Sequence, residues 1–417
     1  MNGGQGAGVS HGKAVLACLK PAAGFTNLGP RGFLDRPLRI LALSGGGANG
    51  AFGAGVIKGW YANPALNPAP LSEIDIITGV STGAVQALFL AAARGAADPD
   101  KIINQLASDY CATNDRRIFS NRWPGWLLPL AMFVRMSRSE VRPLRQRLTA
   151  LVSTHLPDLR AAIAGGLQVY FGAVMLEDGG LYAASLGDLL QLADPVPAIV
   201  DIVLASSAVP VDYPPVEIGG RLFIDGGVRH TSFICEIVWK LLDQFPEGGT
   251  LDVLLIRNGT NSPNGCSRCD KAPTTAAESP DCISATGKPT RPTNLYGLLI
   301  RAINEIMTNQ IELASQYRIA GDLALIAQRK GIETSFWMSH LTNIDLERRG
   351  IRRPEGAIFD RAYMQKILAF GEERAAWDHA SCLNPRPNEE HRGAFMRIKG
   401  PGVAFDDTVP IETRRCA

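Results

Sequence analysis

The sequence of 417 residues has no apolar run long enough to span a membrane, and it has no excess of one charge. A transmembrane helix needs about 20 consecutive apolar residues, and the apolar stretches of this chain have the length of core strands and helices. Lysine and arginine number 42 against 40 aspartate and glutamate, which gives a net charge of +2. A protein whose main partner is nucleic acid carries a basic surface, so this balance argues against nucleic acid.

The amino-terminal segment lacks the apolar core of a secretory signal. Val15-Leu16-Ala17-Cys18 has the form of a bacterial lipobox, in which Cys18 would carry a lipid, but the residues before it are rich in glycine. We therefore expect a flexible leader over residues 1–36. We expect a location in the bacterial cell envelope or outside the cell, with Cys18 as the candidate lipid anchor, and a cytoplasmic location is the alternative.

The sequence also lacks a complete set of metal ligands. Cys266, Cys269 and Cys282 cluster in a stretch rich in Pro, Ser and Thr, at residues 259–294, which contains no histidine. The Cys-x-x-Cys spacing could begin a zinc site, but no fourth ligand is evident nearby. A disulfide in a surface insertion is the favoured interpretation and free thiols are the alternative. We expect no metal and no other cofactor.

The hydrophobic content of 46% is sufficient for a large folded core. Residues 39–43 and 74–78 are short apolar runs typical of buried strands, and each leads through a glycine-containing turn into a helical segment, at 51–61 and 82–94. This alternation predicts an α/β fold with a doubly wound, mostly parallel sheet.

The rest of the chain extends this pattern. Residues 167–175, 221–225 and 251–256 read as further strands, 295–330 as a long helical stretch, 334–338 as an edge strand and 360–377 as a last helix. We predict one catalytic domain over residues 37–380, with the cysteine-containing insertion at 259–294, and a loose carboxyl-terminal tail over 381–417. There is no internal repeat.

Ser81 lies in the sequence Gly79-Val80-Ser81-Thr82-Gly83, between an apolar strand and an apolar helix. This is the context of a nucleophile elbow, a sharp strand-to-helix turn that exposes a serine hydroxyl. Gly79 and Gly83 leave room for the tight turn, and the helix amino terminus places a positive dipole beside Ser81. The alternative is a glycine-rich turn with an unreactive serine.

The run Gly45-Gly46-Gly47 follows the first strand and continues to Gly50. Consecutive glycines can present several backbone N–H groups to an anion. A P-loop would need Lys after the run and none follows, but Gly45, Gly47 and Gly50 do fit the dinucleotide pattern G-x-G-x-x-G. A nucleotide- or phosphate-binding module therefore remains an alternative. An oxyanion hole made by Gly45, Gly46 and Gly47 explains Ser81 as well.

A serine nucleophile needs a base, and Asp225 is the better candidate. It ends the strand of residues 221–225 and precedes Gly226-Gly227, which predicts that it lies at the same edge of the sheet as the two glycine turns. Of the histidines, only His230 is close in sequence to a candidate site segment, and we expect it to be a loop histidine. Aspartate with a pKa of about 3.9 is a weak base. We expect partial burial to raise the pKa of Asp225, because loss of water disfavours the charged carboxylate.

Four motifs in this order resemble those of the patatin-like phospholipases. They are Gly45-Gly46-Gly47-x-x-Gly50, Gly79-x-Ser81-x-Gly83, Ala205-Ser206-Ser207-Ala208-Val209-Pro210 and Asp225-Gly226-Gly227. The resemblance covers about residues 37–256 and includes the bacterial envelope branch of that family. Many members have Asp in place of Ser44 and Arg or Lys in place of Asn49, and this departure leaves the head-group preference open.

The resemblance implies a three-layer α/β/α fold and a serine acyl hydrolase of the phospholipase A, lysophospholipase or esterase type. It implies a Ser–Asp dyad, with Ser81 as nucleophile and Asp225 as base, and a lipid or phospholipid substrate. Residues 122–134 crowd two Trp, two Pro and several apolar residues between arginines, which favours peripheral membrane contact at the mouth of the site. A core helix is the alternative for this segment, and a catalytically inactive membrane-binding protein is the alternative for the function.

Overall fold

The computed structural model describes residues 3–21, 36–63, 70–114, 118, 120–121, 139–234, 249–259, 298, 302, 306–341, 346, 349–354, 359–383 and 393–398. Within these ranges the α-helices are α1 (Gly3–Cys18), α2 (Gly50–Ala62), α3 (Thr82–Gly95), α4 (Pro99–Ala112), α5 (Arg142–Ala164), α6 (Leu186–Leu190), α7 (Pro195–Ser206), α8 (Thr308–Lys330) and α9 (Arg361–Leu383). Short 3-10 turns occupy Gly47–Asn49, Leu71–Glu73 and Gly226–Val228. None of the described helices is both long enough and apolar enough to cross a bilayer.

The strands form one large sheet and one small ribbon. They are β1 (Leu19–Pro21), β2 (Leu38–Leu43), β3 (Ile76–Val80), β4 (Ser120–Asn121), β5 (Ser139–Glu140), β6 (Gln168–Met175), β7 (Leu181–Ser185), β8 (Val216–Ile218), β9 (Arg221–Asp225), β10 (Thr250–Arg257), β11 (Glu333–His340) and β12 (Gly393–Ile398). The large sheet has the order β1-β7-β6-β3-β2-β10-β11-β12, with β9 beside β6 and β8, and β4 pairs with β5.

The centre of the sheet is parallel. Strands β6, β3, β2, β10 and β11 run in the same direction, and antiparallel strands flank them on both sides. Parallel strands are covered on both faces and are therefore apolar along most of their length, as β2 is in Leu38-Arg-Ile-Leu-Ala-Leu43, where Arg39 is the one charged residue. The predicted α/β class with a mostly parallel central sheet is confirmed.

Helices cover both faces of this sheet and give three layers. The alternating side chains of β2 separate into two cores, because successive residues of a strand point to opposite faces. Leu41 and Leu43 pack in a core that includes residues of α2, α3, α4, α5, α7 and α9. Leu38, Ile40 and Ala42 pack on the other face, where α8 contributes Ile319, Leu323 and Ile326.

Three sequence-based expectations differ from the structure at the ends of the chain and at one edge. The segment treated as a flexible leader contains α1 and β1, because Val15, Cys18 and Leu19 are buried against the core and β1 pairs with β7. The predicted edge strand at 334–338 is internal, because β11 pairs with both β10 and β12. Strand β12 belongs to the segment treated as a loose tail.

Candidate active site

Ser81 lies on a sharp turn between β3 and α3, as its motif predicts. Its backbone has φ 56° and ψ −124°, a region that residues with a side chain rarely adopt. The side chain is 6% exposed, so the hydroxyl is largely shielded from bulk water. Strained backbone of this kind concentrates at functional sites, and it is the conformation expected of a nucleophile elbow.

The motif glycines allow neighbouring segments to approach this turn closely. A Cβ atom added to Gly50, Gly79, Gly83, Gly226 or Gly227 would lie within 3.0 Å of a heavy atom of another residue. For Gly83 the obstructing atom is the carbonyl oxygen of Leu43, at the end of β2, so the start of α3 packs directly against the strand that leads into the glycine run.

Ser206 holds the backbone of the elbow. The N–H of Ser81 donates to Ser206 Oγ at 3.0 Å, and Ser206 Oγ donates to the carbonyl oxygen of Gly172 at 2.6 Å. Ser206 ends α7 and is fully buried. The motif Ala205–Pro210 therefore joins the elbow to β6, a role that sequence analysis did not assign to it.

Asp225 reaches Ser81 on an antiparallel strand. Strand β6 continues beyond the end of β3, and β9 pairs with this extension in the opposite direction, so that Asp225 lies opposite Ala173. The Asp225 N–H donates to the carbonyl of Ala208 at 3.0 Å. The Ser81 side chain is close enough to lower the pKa of the Asp225 carboxyl, and the N–H of Gly227 donates to Asp225 Oδ1 at 2.7 Å.

The environment of Asp225 makes it a better base than an ordinary aspartate. The side chain is 5% exposed. Burial raises the pKa of Asp225 from 3.8 to about 6, against the smaller lowering effect of the Ser81 side chain and of the hydrogen bond from the Gly227 N–H. Loss of water around a carboxylate disfavours its charged form, which agrees with the direction expected from the sequence.

The three glycines predicted to form an oxyanion hole are not equivalent. The N–H of Gly45 donates to the carbonyl of Thr231 at 2.9 Å, so this group is occupied and the expectation for Gly45 as a donor is corrected. The N–H groups of Gly46 and Gly47 donate to no backbone carbonyl in the described part of the chain. Gly47 lines the same cavity as Ser81, and its φ of 55° is in the left-handed region.

A mostly apolar cavity of about 120 Å³ begins at Ser81. One water needs about 10–15 Å³ on this measure, so the space is several waters in size. Its walls come from α3, α4, α5 and α9, and its apolar lining residues are Val85, Phe89, Ile118, Leu144, Leu148, Leu151, Val209, Phe359 and Met364. A shape and lining of this kind suit a hydrocarbon chain.

His230 is engaged by Arg318 through one of its ring nitrogens. Its Nε2 lies 3.1 Å from Nη1 of Arg318, a contact in which the guanidinium donates. While Nε2 accepts this hydrogen bond, that nitrogen is not available to take a proton from serine. Among the described residues there is no cluster of three His, Cys, Asp or Glu that could hold a metal ion.

Several functional candidates escaped sequence analysis. Asn258 and Gln86 contact the glycine loop from β10 and α3, and Tyr363 donates to Asn49 Oδ1 at 2.8 Å. Gln86 had a signal, because it is a polar residue in the middle of an otherwise apolar helix. Residues 122–134 and the cysteines Cys266, Cys269 and Cys282 lie outside the described residues.

Comparison with known proteins gives one family model and several distant solved structures, among them the two described next. The family model of the patatin-like phospholipases matches residues 41–236. None of the curated proteins that we compared with the chain matches it. The solved structure of VipD from Legionella pneumophila has 12% identity and a TM-score of 0.30, with 53% of this chain and 50% of that chain covered. The type III effector protein ExoU has 12% identity and a TM-score of 0.32, with 88% and 56% covered.

The chain thus spans about half the length of these two proteins. The family match includes all four motifs, from the glycine run that starts at Gly45 to the box that ends at Gly227. On this match, residues 41–236 are similar to the patatin-like phospholipases.

Proposed function

We propose that this protein is a serine acyl hydrolase that cleaves carboxylic ester bonds of phospholipids or related lipids. The observation that carries the proposal is the position of Ser81, which lies on a strained turn, lines an apolar cavity and is close enough to the buried Asp225 to lower the pKa of that carboxyl. The activity falls in the phospholipase A, lysophospholipase or esterase group. The apolar lining favours this proposal over a nucleotide-binding module, because a dinucleotide needs polar partners for its phosphates and sugars.

In the proposed reaction Ser81 Oγ attacks the ester carbonyl carbon while its proton passes to the Asp225 carboxylate. The carbonyl oxygen becomes negative and accepts hydrogen bonds from the N–H groups of Gly46 and Gly47. The C–O bond to the alcohol then breaks, and the leaving oxygen takes the proton from Asp225. Water, losing its proton to Asp225, attacks the acyl-enzyme, and the carboxylic acid leaves as Ser81 regains its proton.

The experiment is labelling with a fluorophosphonate, which phosphonylates an activated serine. We expect wild-type protein to be labelled at Ser81 and to hydrolyse a long-chain ester. Ser81→Ala should abolish both, and Asp225→Asn should lower both by several orders of magnitude. Because a nucleophile and its base act as a unit, the double variant should be little worse than either single variant. Folded wild-type protein that is neither labelled nor active would refute the proposal.

Contact with a lipid surface is a further part of this proposal, and it rests on residues 122–134. We expect Trp126→Ala to reduce turnover of vesicle or micelle substrates and to spare a short soluble ester. An equal loss on both substrates would contradict this assignment. Attachment of a lipid at Cys18, with a location in the envelope, can be tested by the mass of the protein from native membranes.

A further inference from the structure

Ser44, immediately before the glycine run, is held at three atoms. Its N–H donates to the carbonyl of Ile256 at 3.0 Å. Its Oγ accepts the N–H of Asn258 at 2.9 Å, and its carbonyl oxygen accepts Nδ2 of Asn258 at 2.8 Å. Ser44 is fully buried, so it cannot touch a substrate. Its position relative to the end of β10 is therefore fixed.

The hydroxyl of Ser44 has one proton, and that proton is directed to the glycine run. Ser44 Oγ donates to the carbonyl oxygen of Gly45 at 2.8 Å. This carbonyl and the N–H of Gly46 belong to the same trans peptide plane and point in opposite directions. A bond that fixes the Gly45 carbonyl consequently fixes the direction of the Gly46 N–H.

The neighbouring peptide plane is fixed by a different bond. The N–H of Asn49 donates to the carbonyl of Gly46 at 3.0 Å, which sets the plane that carries the Gly47 N–H. The two proposed oxyanion donors therefore have separate supports. The support of Gly47 is backbone alone, whereas the support of Gly46 is the side chain of Ser44, which mutation can remove.

Asn258 is itself held by Gln86, and both side chains are completely buried. Asn258 Nδ2 donates to Gln86 Oε1 at 3.1 Å, and Asn258 Oδ1 accepts the N–H of Gly53 at 3.1 Å and Gln86 Nε2 at 3.3 Å. Gln86 Nε2 also donates to the carbonyl of Gly50 at 2.7 Å. The network thus joins the end of β10 to α2, which follows the glycine run, and to α3, which begins after Ser81.

We propose that Ser44 is a positioning residue that aims the Gly46 N–H at the oxyanion, with Asn258 and Gln86 as its support. This inference rests on the proposed function. It predicts that loss of the Ser44 hydroxyl weakens stabilisation of the transition state and leaves binding of the ground-state ester unchanged. The Asn258 N–H would then lose its acceptor, and the Gly45–Gly46 peptide would be free to rotate.

The test compares Ser44→Ala with Thr334→Val. Thr334 is a matched control, because its buried Oγ donates to the carbonyl of Leu323 on the opposite face of the sheet. We expect Ser44→Ala to lower kcat by about 100-fold, the cost of a misplaced catalytic group, with KM changed by less than about threefold. Ser44→Thr, which keeps the hydroxyl, should recover most of kcat. Thr334→Val should leave both constants near the wild-type values.

A second measurement reports stabilisation of the oxyanion separately from the other steps of the reaction. A trifluoromethyl ketone forms a reversible tetrahedral adduct on a serine, and its oxygen occupies the oxyanion position. We expect its inhibition constant to rise in Ser44→Ala by the same factor by which kcat falls, since both report the same donors. Gln86→Met removes the support one step further away and should give a smaller change in the same direction. If Ser44→Ala does not fold, Gln86→Met provides the test.

A kcat of Ser44→Ala equal to that of Thr334→Val would overturn the inference, and so would a rise in KM at unchanged kcat. For Gln86→Met, an inhibition constant equal to the wild-type value would do the same. These outcomes differ from failure of the proposed function, which would appear as wild-type protein without labelling at Ser81. Labelled, active wild-type protein with an unaffected Ser44→Ala variant would refute the positioning role alone.

Discussion

The backbone N–H of Ser81 donates to the side-chain oxygen of Ser206 at 3.0 Å. The N–H of the candidate nucleophile is thereby occupied in the resting structure, and the same Ser206 hydroxyl donates to the carbonyl of Gly172 at 2.6 Å. A single side chain therefore holds the strained turn at Ser81 against β6. In the proposed reaction, stabilisation of the oxyanion therefore falls to the N–H groups of Gly46 and Gly47.

Ser206→Ala should destabilise the protein and lower its activity. It would leave two buried backbone groups, the Ser81 N–H and the Gly172 carbonyl, without this partner, and a buried unsatisfied group costs about 1–3 kcal/mol. We expect a lower melting temperature and a reduced kcat. The adjacent Ser207 is a matched control, because its buried hydroxyl has no partner among the described residues. A melting temperature for Ser206→Ala equal to that of Ser207→Ala would contradict this role.

The pH dependence of kcat/KM should follow the titration of Asp225. The base must be ionised, and burial raises the pKa of Asp225 to about 6. We therefore expect kcat/KM to rise with pH and to level off above about pH 7, since this ratio reports groups of the free enzyme.

Glu312 provides the control for this pH profile, because burial raises the pKa of Glu312 to about 7. Glu312 lies near Thr231, whose side chain lowers the pKa of Glu312 and whose carbonyl accepts the Gly45 N–H. Glu312→Gln should keep the rising limb near pH 6 if that limb belongs to Asp225. Disappearance of the limb in this variant would assign it to Glu312.

Asp225→Asn should stabilise the folded protein at neutral and alkaline pH. The folded state raises the pKa of Asp225 from 3.8 to about 6, so the protonated form is favoured by folding and the ionised form is opposed. The free energy of unfolding of the wild type should therefore fall as pH rises from about 4 to above 6. The shift corresponds to on the order of 3 kcal/mol.

Asparagine does not ionise, so the variant should lack this loss. We expect a higher melting temperature for Asp225→Asn than for wild type at pH 8 and a smaller difference at pH 4, measured by thermal unfolding in buffers of equal ionic strength. A difference that is the same at both pH values would show that burial of the charge is not its cause.

Gly46→Ala and Gly47→Ala should differ in their effect on stability. A Cβ at Gly46 would lie 2.7 Å from Cβ of Asn258, whereas a Cβ at Gly47 meets nothing within 4 Å. We expect Gly46→Ala to lower both the melting temperature and kcat. Gly47→Ala should cost only about 1–2 kcal/mol for its left-handed backbone, and it should lower kcat because it places a methyl group beside the oxyanion. Equal melting temperatures for the two variants would contradict this distinction.

Val85→Phe should change the preferred acyl chain length. Val85 lines the apolar cavity from α3 and is partly exposed within it. The phenyl ring of Val85→Phe would therefore occupy part of the cavity in which we propose that the acyl chain binds. We expect kcat/KM to fall for long-chain p-nitrophenyl esters and to remain close to wild type for the acetate. Val85→Leu, a smaller increase in size, should give an intermediate optimum. A uniform loss for all chain lengths would place the acyl chain elsewhere.

The local features of the site could be predicted because each depends on neighbouring residues. A short apolar run, a glycine turn and a helical segment define the elbow at Ser81, and the observed α3 of Thr82–Gly95 begins where the pattern placed it. Strand β9 has the predicted bounds of Arg221–Asp225. Its antiparallel pairing with β6 could not be predicted, because strand direction depends on partners distant in the sequence.

The N–H donors of the glycine run likewise could not be distinguished from the sequence. The run Gly45-Gly46-Gly47 predicts an anion-binding loop, but nothing in it distinguishes one N–H from another. Only the fold brings the carbonyl of Thr231 to the Gly45 N–H, and only the fold brings Asn258, more than 200 residues away, to Ser44. Hydrogen bonds between segments that distant leave no periodic pattern in the sequence.

The sequence by itself determined the α/β class, the family motifs and the candidate pair Ser81 and Asp225, since turns, strands and helices follow from local propensity and periodicity. Tertiary structure decided the rest. It raised the pKa of Asp225 by burying it, occupied the N–H of Gly45 and formed the apolar cavity from α3, α4, α5 and α9. Burial, desolvation and cavity shape arise only when distant segments pack together, and for that physical reason they are properties of the folded chain.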